Sequence, residues 1–128
     1  MAEAASYRIR ITAGGVSQVA TLAANRTARA IWNALPIDGT ASRWGDEIYF
    51  SIAVDLDEDA AQEVVAVGDL GYWPPGSAFC IFWGPTPASQ GPQPRAASPV
   101  NVFGHIAEGA TAFAAVKAGQ RVRVERIE

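Results

Sequence analysis

Between Gly68 and Gly104 the chain gathers six of its twelve glycines, seven of its eight prolines and two of its four tryptophans. Glycine frees φ, while proline fixes it and removes a donor, so this mixture describes tight turns on either side of a strand. Residues 77–83 are that strand, a mostly apolar run with three aromatics between Gly76 and Gly84, suited to a pleated, buried element. The remaining elements have to be organised around it.

The first of them is residues 6–13, which alternate with Tyr7, Ile9 and Ile11 on one face and Arg8, Arg10 and Thr12 on the other. Gly14-Gly15 is a two-residue hairpin signal, and residues 16–22 return as its partner strand. Arg8 and Arg10 read as a solvated strand face rather than an anion site. Asn25 or Thr27 caps a helix marked by Ala28, Ile31, Trp32 and Leu35 and ended by Pro36, with Trp32 expected in the core. Residues 37–42 read as a turn-rich connection and 43–54 as the longest strand, bulged or bent at Trp44-Gly45-Asp46. The acidic run from Asp55 to Asp59 fails as an EF-hand, because Ala60 and Ala66 stand where the loop needs glycine and glutamate; it reads as an exposed loop. Residues 64–67 form a brief strand, 84–99 a proline-rich loop, 100–106 a strand, 110–117 a second helix opened by Gly109, and 120–127 a closing strand. About eight short strands with two helices predict a mainly β chain, a closed or nearly closed antiparallel barrel with a helix over each open end.

Composition bounds the partners. A chain of 128 residues with 49% hydrophobic and 18% charged residues fits one globular domain over residues 1–128. A net charge of −3 argues against nucleic acid, and a single cysteine excludes an internal disulfide. Residues 1–6 do not read as a signal peptide and no apolar run is long enough to span a membrane, so a cytoplasmic location is expected.

Val102-Phe103-Gly104-His105-Ile106-Ala107-Glu108-Gly109 resembles the Val-Phe-Gly-Lys-Val-x-Glu-Gly segment of cyclophilins. The closer resemblance is to the small prokaryotic cyclophilin-like family of stand-alone domains. It is carried by Trp44 to Phe50 (WGDEIYF), by Gly68-Asp69 through Tyr72-Trp73-Pro74-Pro75-Gly76, by Phe82 to Pro87 (FWGPTP) and by Ser98 to Val102 (SPVNV). The resemblance spans nearly the whole chain and implies an eight-stranded barrel with two capping helices. Catalytic cyclophilins carry a Phe-His-Arg strand and then Phe-Met-x-Gln-Gly-Gly-Asp, neither of which is intact here. Arg43 is the one arginine entering the corresponding strand, and Val100 stands where a histidine would precede Val-Phe-Gly. The resemblance therefore carries the fold further than the activity.

Cys80 and His105 are the sole thiol and imidazole, a nucleophile pair by type, yet a lone cysteine inside a strand reads as a small buried hydrophobe. No metal-ligand spacing, phosphate loop or serine-hydrolase elbow is present, so no metal and no cofactor are expected. The aromatics are the better guide. Trp44, Tyr49, Tyr72, Trp73, Phe82 and Trp83 cannot all point inward, since strand neighbours alternate. Rings left at the wall form a groove, with Glu47, Thr86, Ser98 and Asn101 beside them as polar anchors. Three readings follow: an aromatic groove for a small molecule or extended peptide without covalent catalysis; a prolyl isomerase using Arg43; and an interaction or homo-oligomerisation module using the loop 84–99.

Overall fold

The computed structural model describes residues 7–127. Ser6, where the first strand was expected to begin, and residues 1–6 read for a signal peptide lie outside them. Strands β1 (Arg8–Ala13) and β2 (Val16–Leu22) form the expected hairpin, with Ala13 opposite Val16 and Gly14 at φ +57°. That left-handed angle is why glycine stands in the turn. Ile9, Ile11 and Ala13 are buried, whereas Arg8 and Arg10 face solvent.

Helix α1 (Arg26–Ala34) begins at Asn25, whose Oδ1 accepts the Ala28 N–H at 2.9 Å. It buries Thr27, Ala28 and Ile31. Trp32, expected in the core, is only partly buried: its ring stacks on Tyr7 with centroids 4.6 Å apart, and the Arg126 guanidinium lies 4.7 Å from its centroid. The indole thus packs against the edge of the core, with the Tyr7 ring and the Arg126 guanidinium as its further cover.

Residues 37–43 differ most from expectation. They form two strands, β3 (Ile37–Thr40) and β4 (Ser42–Arg43), and the expected long strand over 43–54 is a hairpin of β4 with β5 (Glu47–Ser51). Gly45 at φ +61° reverses the chain, Arg43 stands opposite Ile48, and the Trp44 N–H reaches Glu47 O at 3.0 Å. Glycine at a left-handed angle suits bulge and turn alike, and the pairing of Arg43 with Ile48 decides for the turn.

The other strands are β6 (Gln62–Val64), β7 (Asp69–Trp73), β8 (Ala78–Phe82), β9 (Arg95–His105) and β10 (Arg121–Ile127). Strand β9 starts five residues before the expected Val100 because β6 pairs with its first half, with Val64 opposite Arg95. Short 3-10 helices cover Pro74–Gly76 and Ala110–Ala115, the latter where an α-helix was expected. Among the described residues no helix is long and apolar enough to cross a membrane.

The strands run in the order β3-β10-β1-β2-β9-β7-β8-β5-β4, with β6 added on β9, and every ladder is antiparallel. The expected closed, eight-stranded barrel is not formed. The hydrogen-bonded path is open, ending at β3 and β4. The cause is Ala41 between them: its N–H donates to Gln120 O and its carbonyl accepts from Gly119 N, both at 2.8 Å. The chain bends there, so β3 pairs with β10 and β4 with β5, and no ladder joins the two.

Strand β8 is buried along its whole length. Phe79 and Ile81 enter the main core with Ile48, Phe50, Leu70, Tyr72 and Phe103. Cys80 and Phe82 enter a second, smaller cluster with Val65, Ala96 and Val100. A continuous apolar run is what a strand covered on both faces requires. Phe79 lies 4.8 Å from Phe50 and 5.0 Å from Phe103 between ring centroids, and its truncation to alanine would cost about 3–5 kcal/mol. The second cluster places the site.

Candidate functional site

On the side of the sheet away from the main core, β5, β8, β7 and β9 leave a cleft of about 220 Å³. Strand alternation decides what enters it. Glu47 and Tyr49 share one parity of β5 and stand opposite Phe82 and Cys80, while Ile48 and Phe50 turn to the main core. The reversal at Gly45 then carries Trp44 to the same cleft, which a straight strand would have sent elsewhere. The walls are Trp44, Tyr49 and Trp73, and Ala96, Ala97 and Val100 of β9 close the remaining side.

Small residues let these walls approach. A Cβ on Gly71 would stand 2.8 Å from Val100 Cγ2, and one on Gly76 would stand 2.8 Å from the Trp73 ring. Glycine at both positions therefore lets β9 lie close to β7 and seats the indole. The Trp73 Nε1–H donates to Ser98 Oγ at 2.7 Å, which fixes the ring from its polar edge.

Glu47 and Cys80 form the base. Glu47 is only 5% exposed, and burial raises its carboxyl to about 7, against a smaller opposing effect from the Cys80 thiol. Among the described residues every fully buried side-chain nitrogen and oxygen is hydrogen-bonded. The Glu47 carboxyl lines the cleft, with the Cys80 thiol as its diagonal neighbour across the β5–β8 ladder. Burial, and then the Glu47 charge, push the Cys80 thiol up. The thiol donates to Ala78 O at 3.9 Å, a long and weak contact.

The structure thus brings Trp44, Glu47, Tyr49 and Trp73 to one cleft, with Ser98 supporting Trp73. It places the other candidates elsewhere. Tyr72 is fully buried in the main core, where its hydroxyl donates to Val54 O at 2.5 Å and accepts from Leu56 N at 3.1 Å. Phe82 is fully buried in the second cluster. Thr86 donates to Arg95 O and accepts from Ala88 N at 3.2 Å, tying down the proline-rich loop. Asn101 donates to Thr27 Oγ1 at 3.2 Å and Asp57 O at 3.0 Å and accepts from Asp59 N at 2.8 Å, so it pins the acidic loop. Arg43 donates to Gly45 O at 2.7 Å, Ala114 O at 3.0 Å and Val116 O at 3.1 Å, and lies 5.0 Å from the Trp83 centroid.

Cys80 and His105 are not a pair: His105 is exposed and its Nδ1 lies 2.9 Å from Asp69 Oδ1. Among the described residues no three His, Cys, Asp or Glu side chains converge as metal ligands. Cys80, Ala96, Ala97 and Val100 also line the cleft, although none of them is among the groove residues expected from the sequence. The parity that Cys80 shares with Tyr49 across the β5–β8 ladder would have revealed it, once that pairing was known.

The sequence matches the cyclophilin-like family over residues 7–125. The solution structure of a hypothetical protein from Archaeoglobus fulgidus is similar, with 41% identity, coverage of 97% of each chain and a TM-score of 0.83. No curated protein matches the chain.

Proposed function

The chain belongs to the cyclophilin-like family, and from that footing we propose that it binds a small organic molecule in the cleft beside β5, without covalent chemistry of its own. The observation that carries this reading is the pairing of an aromatic wall with one buried carboxyl that opens on the cleft. A concave, mostly apolar site with a few placed polar groups is the usual form of a small-molecule pocket. The raised Cys80 thiol argues in the same direction, because a thiol kept protonated is a poor nucleophile. Prolyl isomerisation gains no such support, since the Arg43 guanidinium is occupied by three backbone carbonyls.

A fragment screen read by amide and indole NMR shifts tests the proposal. Binders should move the Trp44 and Trp73 indole signals and leave that of Trp32 in place. A screen in which no fragment moves either indole would overturn it.

A further inference from the structure

We propose that the occupant of this cleft is a small organic cation, an ammonium or amidinium whose charge meets the Glu47 carboxylate among the Trp44, Tyr49 and Trp73 rings. The inference rests on the cleft being a ligand site, and adds the charge of the ligand.

Glu47 is 95% buried by residue surface, from its 5% exposure, and no basic side chain of the described residues hydrogen-bonds to it. The cations closest in the chain and in the strand order are engaged elsewhere. Arg43 holds three carbonyls and lies 3.8 Å from Asp46, and Arg95 pairs with Glu63. A carboxylate removed from water and left without a countercharge is costly. A ligand cation supplies what the fold omits. Three of the groups lining the cleft are aromatic rings, two of them indoles, and the negative faces of such rings attract desolvated cations. A neutral ligand would use the apolar walls and gain little from the carboxyl's charge. An anion would be repelled by it.

The charge state of Glu47 sets the pH dependence. The other titratable groups lining the cleft are Cys80 on β8, held as a thiol by burial, and Tyr49 on β5. Strands β7 and β9 contribute Trp73, Ala96, Ala97 and Val100, which do not titrate. Asp46, in the turn before Glu47, packs on Gly84 and pairs with Arg43.

The experiment uses shape-matched probes, read by calorimetry and by the Trp44 and Trp73 indole shifts. Benzamidine is compared with benzamide, and choline with its neutral carbon isostere 3,3-dimethyl-1-butanol. At about pH 8, where the carboxyl is ionised, the cation of a pair should bind at least about tenfold more tightly than its neutral partner. That preference should shrink several-fold by about pH 5.5, as Glu47 takes up its proton. Glu47→Gln should abolish the preference. The wild-type pH profile gives the same answer without any variant. Equal binding of both members at the higher pH overturns the cation and leaves the cleft reading standing, as does a screen in which only neutral fragments bind. If no probe and no fragment binds, both readings fall.

Discussion

Glu47 and Cys80 are diagonal neighbours across a single ladder, because Glu47 stands opposite Phe82 and Cys80 opposite Tyr49. Burial holds both groups protonated; the Glu47 charge pushes the thiol further up, while the thiol slightly opposes the rise of the carboxyl. The first two predictions follow from this relationship.

Stability should depend on pH through Glu47. Burial raises its carboxyl from 4.5 to about 7, so between those values the native state binds more protons than the unfolded chain. Stability therefore falls as pH rises through that window, and the penalty is complete above it. Glu47→Gln should be neutral at about pH 4 and stabilising, by up to about 3 kcal/mol, at about pH 8. Denaturant titrations across the range check this; a difference that does not grow with pH would refute the assignment.

Cys80 should react slowly. Its thiol is pushed up by burial and by the neighbouring carboxylate, and the thiolate is the reactive form. Iodoacetamide near neutral pH should label the native protein far more slowly than the unfolded chain, as followed by mass spectrometry. Equal rates would show that the thiol is open and ionisable in the folded state.

Asn101 should matter for stability rather than for binding. Its amide joins Thr27 on α1 to Asp57 and Asp59 of the acidic loop. Asn101→Ala removes three hydrogen bonds, one of them to the buried Thr27, and should cost about 1–3 kcal/mol. The Asp59 amide, now hydrogen-bonded to Asn101 Oδ1, should lose its protection from hydrogen exchange. An Asp59 exchange rate unchanged in the variant would count against this role.

Tyr72 makes the same point from inside the main core. Tyr72→Phe removes the hydroxyl that links Val54 O and Leu56 N and should cost about 1–3 kcal/mol. Fragment-induced shifts at the Trp44 and Trp73 indoles should survive the substitution. Their loss would return Tyr72 to the site.

Much of this frame could be read from local pattern. The β1–β2 turn at Gly14-Gly15, the Asn25 cap and the inward Val122 and Val124 of β10 depend on neighbours a few residues away. What escaped depends on pairing. Trp44-Gly45-Asp46 suits a bulge or a turn until Arg43 is known to face Ile48. Strand β9 runs through Pro99 and looked like loop, since only its pairing with β6 makes residues 95–99 a strand. At the site, Tyr49 and Tyr72 have the same chemistry and opposite destinations, and only the side of the sheet that each faces separates them. Thr86 and Asn101 carry side chains fit for a ligand, yet Thr86 is taken up by the start of β9 and Asn101 by an acidic loop distant in sequence.

The bend at Ala41 has a mechanical result. Both margins of the sheet belong to one short piece of backbone, clasped by two hydrogen bonds to the stretch just before β10. Each margin also keeps its own ladder, β3 on β10 and β4 on β5. An unpaired margin is where a sheet recruits foreign strands, and here the two margins are joined through Ala41, so a disturbance at that one residue bears on both.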